Sequence, residues 1–285
     1  MKTIRKVAVI GGGTMGRQIA LNAAISGYET KVTDTIPAVR ENVKKWAGDY
    51  LAGRIAKGRM TAEQVEEIKA RFFVADSTEE AVKDADLVIE AVIEREDVKK
   101  EVFREISRFA PEDAILTTNS SRMPSSLFID CVKDPSRLAN THYNNPALVM
   151  KVVEIEQNKR TSEETVQALV DFCAANKKTP IRVRKEIDGL VVGRILHAIN
   201  EEALHLVEGG YCSIEDVDKA CTDGLNHPMG PFRLMDLTGI DLNYDIRRNE
   251  YEQTGVKPTG YDLFKKYVEE GRLGKKSGKG FYDYQ

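Results

Sequence analysis

The sequence contains no long apolar run. Its most apolar stretches, such as DLVIEAVIE at 86–94, are short and interrupted by charged residues. A membrane-spanning helix needs about 20 mostly apolar residues, so we expect no transmembrane segment and no membrane partner. The first residues, MKTIRKVAVIGGG, also lack the apolar stretch and small-residue cleavage site of a secretory signal peptide, and we expect none.

Cysteine and excess basic charge are also lacking. The four cysteines show no CxxC spacing, which favours free thiols in a reducing cytoplasm over disulfides or a metal site. The 42 lysines and arginines are outnumbered by 45 aspartates and glutamates, giving a net charge of −3. Nucleic-acid binding usually requires a clustered basic excess, so we expect no nucleic-acid partner.

The residues that are present have the composition of a soluble globular protein, with 41% hydrophobic and 31% charged. Up to about residue 187, β-branched runs alternate with helical patterns, which predicts an α/β fold with a doubly wound sheet of the Rossmann type. We place strands at 4–10, 28–33, 71–75, 86–93, 114–118, 137–142, 151–156 and 180–184. Capping boxes starting at Thr61, Ser77 and Thr161 mark three of the helix starts between them.

The pattern changes after residue 187. We therefore predict two domains, at 1–187 and 188–285, the second all-helical. Ser213, three residues before Asp216, is expected to cap a helix in this second domain. One apolar helix face is formed by Val192, Leu196, Ile199, Ala203, Leu206 and Val207. We expect part of this apolar face to pack against the first domain or against a second subunit.

A glycine-rich loop follows the first strand and opens the first helix. Its GxGxxG pattern is weak alone, but here Asp34 ends the next strand eighteen residues after the last glycine. Such a loop lets the backbone approach a pyrophosphate, while the acid accepts hydrogen bonds from the ribose and repels a 2′-phosphate. We therefore predict NAD as cofactor. Its expected loop contacts are Gly11, Gly12, Gly13, Thr14, Met15 and Gly16.

A histidine and a glutamate lie twelve residues apart in the stretch THYNNPALVMKVVEIE. Oxidation of an alcohol needs a base within hydrogen-bond reach of the hydroxyl, and imidazole has a suitable ordinary pKa of about 6.5. A carboxylate on the other ring nitrogen fixes the tautomer and stabilises the imidazolium. We interpret His142 as the general base and Glu154 as its orienting acid. A histidine held by a backbone carbonyl, with the glutamate in solvent, is the structural alternative.

Seven motifs resemble the L-3-hydroxyacyl-CoA dehydrogenase family over essentially the whole chain. They occur in the family's order: GGGTMG, EAVIEREDVKKEVF, TTNSS, THYNNP, VMKVVEIE, NHPMGPFRLMDLTGID and KSGKGFYDY. This group includes 3-hydroxybutyryl-CoA dehydrogenase and extends to gulonate and carnitine dehydrogenases and lambda-crystallin. The resemblance implies a homodimer formed through the helical domain.

The resemblance also implies roles for individual residues. His142 acts on the C3 oxygen of the substrate with Glu154 behind it, and Ser121 hydrogen-bonds the same oxygen. The nicotinamide side of the cofactor and the adjoining cleft are expected to be lined by Glu94, Lys99, Asn119 and Asn145. Lys57 and Arg59 resemble the basic segment that meets the CoA phosphates, although a solvated helix end explains them equally well.

Two positions depart from the family pattern. Gly193, in GLVVGRIL, stands where the family has an asparagine that positions the substrate, and Arg122 follows Ser121 where a small polar residue is usual. An acyl-CoA substrate is favoured, because the other motifs are intact. A small hydroxy acid without CoA, bound by Arg122 in the space left at Gly193, is the first alternative. An NAD-binding protein with little turnover is the second.

Overall fold

The computed structural model describes residues 3–284. Contacts divide the chain into two compact units, Met1–Val191 and Val192–Gln285. The domain boundary placed near residue 187 from the sequence lies close to this division and stays a prediction. Within the described residues, no helix is both long and apolar enough to cross a membrane.

The first unit is built on one sheet of eight strands. The strands are β1 (Lys6–Ile10), β2 (Glu29–Thr33), β3 (Phe72–Val74), β4 (Leu87–Glu90), β5 (Ile115–Thr118), β6 (Leu138–Tyr143), β7 (Val152–Gln157) and β8 (Thr179–Val183). Their order is β3-β2-β1-β4-β5-β6-β7-β8, and all neighbours are parallel except β6 and β7. The chain leaves β1 toward one edge and returns at β4 toward the other, so a crevice forms at the carboxyl ends of these two strands.

Helices cover both faces of this sheet. They are α1 (Thr14–Ile25), α2 (Pro37–Ala56), α3 (Ala62–Lys69), α4 (Thr78–Val82), α5 (Glu96–Phe109) and α6 (Glu163–Ala175). In β1, Val7 and Val9 join an apolar core with α1 and α6, whereas Ala8 and Ile10 join a second core with α4 and α5. A strand buried on both sides explains why the sequence shows continuous apolar runs rather than alternation. The predicted Rossmann-type fold is confirmed.

Helix starts test the capping predictions directly. The box at Thr61 is complete, because its hydroxyl and the Gln64 side chain each accept a backbone N–H from the other residue. Ser77 caps α4 as predicted, although the Glu80 carboxylate accepts from the Asp76 amide instead of closing a box.

The box predicted to start at Thr161 is wrong by one residue. Ser162 caps α6 by accepting from the Thr165 amide at 3.1 Å. The Thr161 hydroxyl donates instead to the Leu138 carbonyl at 2.6 Å, which ties the loop to β6. The hydrogen bond from Thr161 to Leu138, which is distant in sequence, therefore leaves Ser162 as the capping residue.

The second unit is helical, and its described part contains no strand. After α7 (Leu190–Glu208) come α8 (Ile214–Lys219), α9 (Pro231–Thr238), α10 (Ile240–Thr254) and α11 (Tyr261–Glu269). Ser213 caps α8 as predicted. Of the predicted apolar face, Ala203 is buried and Leu206 and Val207 pack against the core. The fully buried Leu204 belongs to this core as well and was not predicted.

The carboxy-terminal segment is held by two buried carboxylates. Asp236, fully buried, accepts from the amides of Phe281 and Tyr282 and from the Tyr284 hydroxyl. Asp218 accepts from the Tyr282 hydroxyl at 2.8 Å. These hydrogen bonds give the KSGKGFYDY motif a structural role, because they anchor the carboxy-terminal segment to the second unit.

Candidate active site

The glycine loop connects β1 to α1 by an unusually close backbone approach. Gly11 has φ +109°, and a Cβ at Gly16 would lie 1.8 Å from the Gly11 carbonyl oxygen. Only glycine fits such a contact. The N-cap residue of α1 is Gly13, and among the described residues no side chain caps this helix. The helix amides and the positive end of the helix dipole are thus available to a phosphate.

Asp34 lies directly after β2 and is positioned by this loop. Its carboxylate accepts from the Gly12 amide at 2.9 Å and from the Ile36 amide at 2.9 Å. Each carboxylate oxygen has a second lone pair, which leaves acceptors for a diol. The acid predicted from the sequence is therefore fixed at the carboxyl end of its strand, beside the loop.

His142 and Glu154 face each other across the antiparallel pair β6 and β7. His142 Nδ1 lies 2.9 Å from Glu154 Oε2, and the glutamate side chain is fully buried while that of the histidine is 17% exposed. The other carboxylate oxygen accepts from the Val191 amide at 2.7 Å. With a neutral ring, the proton sits on Nδ1 and the lone pair on Nε2, the arrangement of a base.

One cavity of about 710 Å³ brings these groups together, within the usual size of a small-molecule site. It is lined by Gly11, Gly13, Thr14, Met15, Asp34, Glu94, Lys99, Asn119, Ser121, His142 and Asn145. Gly12 and Gly16 do not line the cavity, but their backbone contacts described above shape the loop that does. Most of the residues predicted from the sequence therefore share one cavity.

Four residues predicted to bind the substrate do not line this cavity. Lys57 and Arg59 are exposed at the end of α2 and do not line the cavity. Gly193 lies in α7, where an added Cβ would meet nothing within 4 Å. Arg122 is exposed and lines a second, smaller cavity that also includes Ser121.

A buried ion pair organises the chain after β4. Lys99 Nζ lies 2.7 Å from Glu90 Oε1 and 3.2 Å from Glu94 Oε2, and both Lys99 and Glu90 are at least 99% buried. Thr118 on β5 donates to the second oxygen of Glu90 at 2.7 Å, and Ser120 donates to Glu94. Lys99 thereby holds the strand ends in place. Glu90 was missed from the sequence, although a carboxylate inside the run DLVIEAVIE was a visible signal.

Two asparagines beside the histidine complete the site. Asn119 Oδ1 accepts from the Tyr143 amide at 2.8 Å, which joins the ends of β5 and β6. Asn144, which was not predicted from the sequence, lines the cavity and has a buried Nδ2 with no partner among the described residues. An unpaired buried donor is costly in a folded protein unless a ligand uses it. The cavity's glycine loop, acid and orphan donor together fit a bound dinucleotide.

Comparison with known proteins agrees with this geometry. The model of the 3-hydroxyacyl-CoA dehydrogenase NAD-binding domain matches residues 6–187, and that of the family's C-terminal domain matches 189–284. The chain is 35% identical over 285 residues to a probable 3-hydroxybutyryl-CoA dehydrogenase of Bacillus subtilis, covering 99% of this chain and 98% of that one.

Solved structures show the same similarity. The (S)-3-hydroxybutyryl-CoA dehydrogenase PaaH1 of Ralstonia eutropha is 30% identical with a TM-score of 0.86, covering 99% of this chain and 100% of that one. A diketoreductase acting on dicarbonyl compounds is 29% identical with a TM-score of 0.88, covering all of both chains. The resemblance predicted from the motifs is confirmed: the chain belongs to the 3-hydroxyacyl-CoA dehydrogenase family, and it is an NAD-dependent oxidoreductase.

Proposed function

We propose that this protein interconverts a short-chain L-3-hydroxyacyl-CoA, such as 3-hydroxybutyryl-CoA, and the corresponding 3-ketoacyl-CoA. The observation that carries the proposal is that His142, held by the buried Glu154, lines the same cavity as the glycine loop. A base and a nucleotide loop in one cavity suit removal of a proton and a hydride from the same carbinol. The names of the relatives support a short acyl chain.

In the oxidative direction, His142 Nε2 takes the proton of the C3 hydroxyl. The buried Glu154 carboxylate, 2.9 Å from Nδ1, stabilises the imidazolium that results. Ser121 donates a hydrogen bond to the substrate oxygen. NAD, when bound, supplies the hydride acceptor at its nicotinamide ring.

The cofactor is held by groups around the same cavity. The amides of Gly11 and Gly12 donate within the protein, to Thr33 and Asp34, so the amides at the start of α1 would bind the pyrophosphate. Asp34 would accept hydrogen bonds from the ribose hydroxyls. Glu94, Asn119 and Asn145 line the part of the cavity that takes the nicotinamide, and Lys99 positions Glu94.

A dehydrogenase of a hydroxy acid without CoA is the second candidate. Arg122 lies next to Ser121 and lines the smaller cavity, where a guanidinium could receive a carboxylate in two parallel hydrogen bonds. The similarity to a diketoreductase supports it. The acyl-CoA substrate remains the better supported, because the curated relatives named for it match nearly the whole chain.

The helical unit leaves several large apolar side chains in solvent. Leu242 and Ile246, one helical turn apart on α10, are 53% and 49% exposed, and Ile195 on α7 is 57% exposed. Exposed apolar surface of this kind marks an interaction site. We propose that a second copy of the chain covers it, as the family resemblance implies.

A substrate panel tests the function. Reduction by NADH is followed with acetoacetyl-CoA and with free 3-keto acids, and oxidation by NAD with 3-hydroxybutyryl-CoA and free 3-hydroxy acids. We expect turnover of thioesters alone. Turnover of free acids alone would establish the second candidate, and binding of cofactor without any turnover would reject both.

A Gly193→Asn variant gives a second test of the acyl-CoA substrate. An added Cβ at Gly193 would meet nothing within 4 Å, so the position admits the asparagine that the family resemblance implies there. We expect the variant to raise kcat/KM for acyl-CoA substrates, with Gly193→Ala, which adds no amide, as control. A loss of activity in Gly193→Asn would indicate a pocket built around the glycine.

A further inference from the structure

A second cavity of about 160 Å³ lies beside the candidate active site in the first unit. Ser121 lines both cavities, so the small one adjoins the place where the substrate oxygen is bound. By the share of liquid volume per water, about 30 Å³, this cavity holds roughly five water-sized groups. Coenzyme A is far too large for it. The part of a substrate that fits is a short arm of a few atoms.

The lining of the cavity includes Asn140, a buried side chain with a fixed orientation. Asn140 is 2% exposed, and its Oδ1 has no partner among the described residues. Its Nδ2 donates to the Ser120 carbonyl at 2.8 Å, which fixes the orientation of the amide. An unpaired buried acceptor calls for a donor, supplied by water or by a ligand.

Three acidic residues line the same cavity: Glu156, Glu186 and Asp188. Glu156, 2% exposed, faces Asn140 across β6 and β7, and one of its oxygens accepts from the Ile187 amide at 3.0 Å. Glu186 Oε1 accepts from the Ser126 amide at 2.8 Å. Burial raises the pKa of Glu156, and the Ile187 amide opposes part of that rise. Adding a hydrogen-bond donor or a cation to this cavity is thus favourable.

We propose that this cavity receives the tail of the acyl chain, beyond C3, and selects tails that end in a hydrogen-bond donor, a hydroxyl or an ammonium. The inference rests on the proposed acyl-CoA substrate and specifies its class. A hydrocarbon tail leaves the Asn140 oxygen unpaired, and a site built for a hydrogen bond rejects analogues lacking it. A carboxylate tail would be repelled by the carboxyl groups of Glu156 and Glu186. Arg122, which is exposed, is the cation of the lining that would attract it.

Binding of unreactive analogues tests the tail preference directly. Hexanoyl-CoA, 6-hydroxyhexanoyl-CoA, 6-aminohexanoyl-CoA and adipyl-CoA differ only at the tail end, and none carries an oxygen at C3. Their dissociation constants are measured by calorimetry with NAD present. We expect at least one of the donor-ended chains to bind about tenfold or more tightly than hexanoyl-CoA. Tightest binding of hexanoyl-CoA or adipyl-CoA, equal affinities, or no binding overturns the proposal.

Two variants locate the preference in the cavity. Glu156→Gln keeps the size of the side chain and removes its charge, so it should weaken a preference for the amino tail and retain one for the hydroxyl tail. Asn140→Leu removes the unpaired acceptor and should abolish the hydroxyl preference. If Asn140→Leu does not fold, the affinities of the four analogues for wild type and for Glu156→Gln still accept or reject the proposed tail preference. Glu79→Gln, exposed on α4, is the matched control.

Reduction of acetoacetyl-CoA by NADH is measured on the same preparation. Its tail is a single methyl group, so it reports the proposed reaction independently of the cavity. Absence of this activity would reject the proposed function, while the analogue affinities would still accept or reject the tail preference.

Discussion

At the scale of single residues, the site depends on pairs that the strands hold rigid. Glu154 is fully buried and oriented by the Val191 amide as well as by His142, so the imidazole has one strongly favoured orientation. A buried carboxylate of this kind is expensive to desolvate, and the hydrogen bonds to both of its oxygens offset that cost. The geometry therefore favours a role for the pair beyond packing.

His142→Ala is expected to lower kcat by at least about a hundredfold, because the proton acceptor is lost. The affinity for NAD should change little, since the glycine loop and Asp34 are untouched. Steady-state kinetics and a cofactor titration measure both quantities. Near-normal turnover in this variant would end the assignment. Glu79→Gln, exposed on α4 and outside the cavity, is the control and should keep normal turnover.

Glu156 should make stability depend on pH. Its pKa is raised in the folded state, chiefly because burial penalises the charged form. The folded protein then binds a proton that the unfolded chain releases, so this group's contribution is fully present below the ordinary value of 4.5 and is lost as pH rises through the folded pKa.

Urea unfolding of wild type and Glu156→Gln at several pH values measures this contribution. The wild type should lose free energy of unfolding relative to the variant as the pH rises from about 4.5. Parallel stability curves for the two proteins would show that the folded pKa of Glu156 is not raised.

At the scale of elements, the carboxyl ends of the parallel strands collect the site. Asp34 follows β2, Glu90 ends β4 and Asn119 follows β5, and these ends meet at one edge because the strands run in the same direction. The loop after β1 approaches so closely that a side chain at Gly11 would collide with the Ala91 carbonyl oxygen at 2.5 Å. Backbone packing between neighbouring strands therefore sets the position of the nucleotide loop.

Asp34→Ala is expected to weaken NAD binding by about ten- to a hundredfold, the effect of losing a hydrogen bond to a charged group. The preference for NAD over NADP should narrow, since the repulsion of a 2′-phosphate is removed. Asp34→Asn, which can still accept from the Gly12 amide, separates loss of charge from loss of loop order. A wild type that already prefers NADP would show that the role of this strand end is different.

At the scale of the whole molecule, the two units use different means of stabilisation. The first relies on two apolar layers around a sheet, and the second on a smaller helical core with a carboxy-terminal segment anchored by Asp218 and Asp236. The second unit also keeps Leu242 and Ile246 exposed, which is unfavourable for a monomer in water.

Sedimentation velocity should therefore give about twice the mass of one chain. Leu242→Asp is expected to shift the protein toward the monomer, because a charge in an apolar interface must be desolvated. Val149→Asp, at a 70% exposed position in the first unit, is the matched control and should leave the mass unchanged. A wild type that sediments as a monomer at all concentrations would contradict the proposed dimer.

Most of the fold could be predicted from the sequence, because the strand and helix patterns are local. The loop between β1 and α1, the acid after β2 and the change to helices near residue 187 all follow from short-range periodicity and turn residues. The capping prediction at Thr161 failed because its hydroxyl bonds to Leu138, which is distant in sequence. Local patterns cannot report such a partner.

The sequence by itself determined the family and the nucleotide loop, and it predicted the pairing of His142 with Glu154, since these are carried by residue types at fixed spacings. Only the tertiary structure decided which groups meet across strands. The register of β6 against β7 places His142 opposite Glu154 and Asn140 opposite Glu156, and the order of β4 beside β5 buries Glu90 with Lys99 and Thr118. Strand pairing is a long-range choice fixed by the packing of both sheet faces, so the second cavity and its unpaired acceptor had no signature in the sequence.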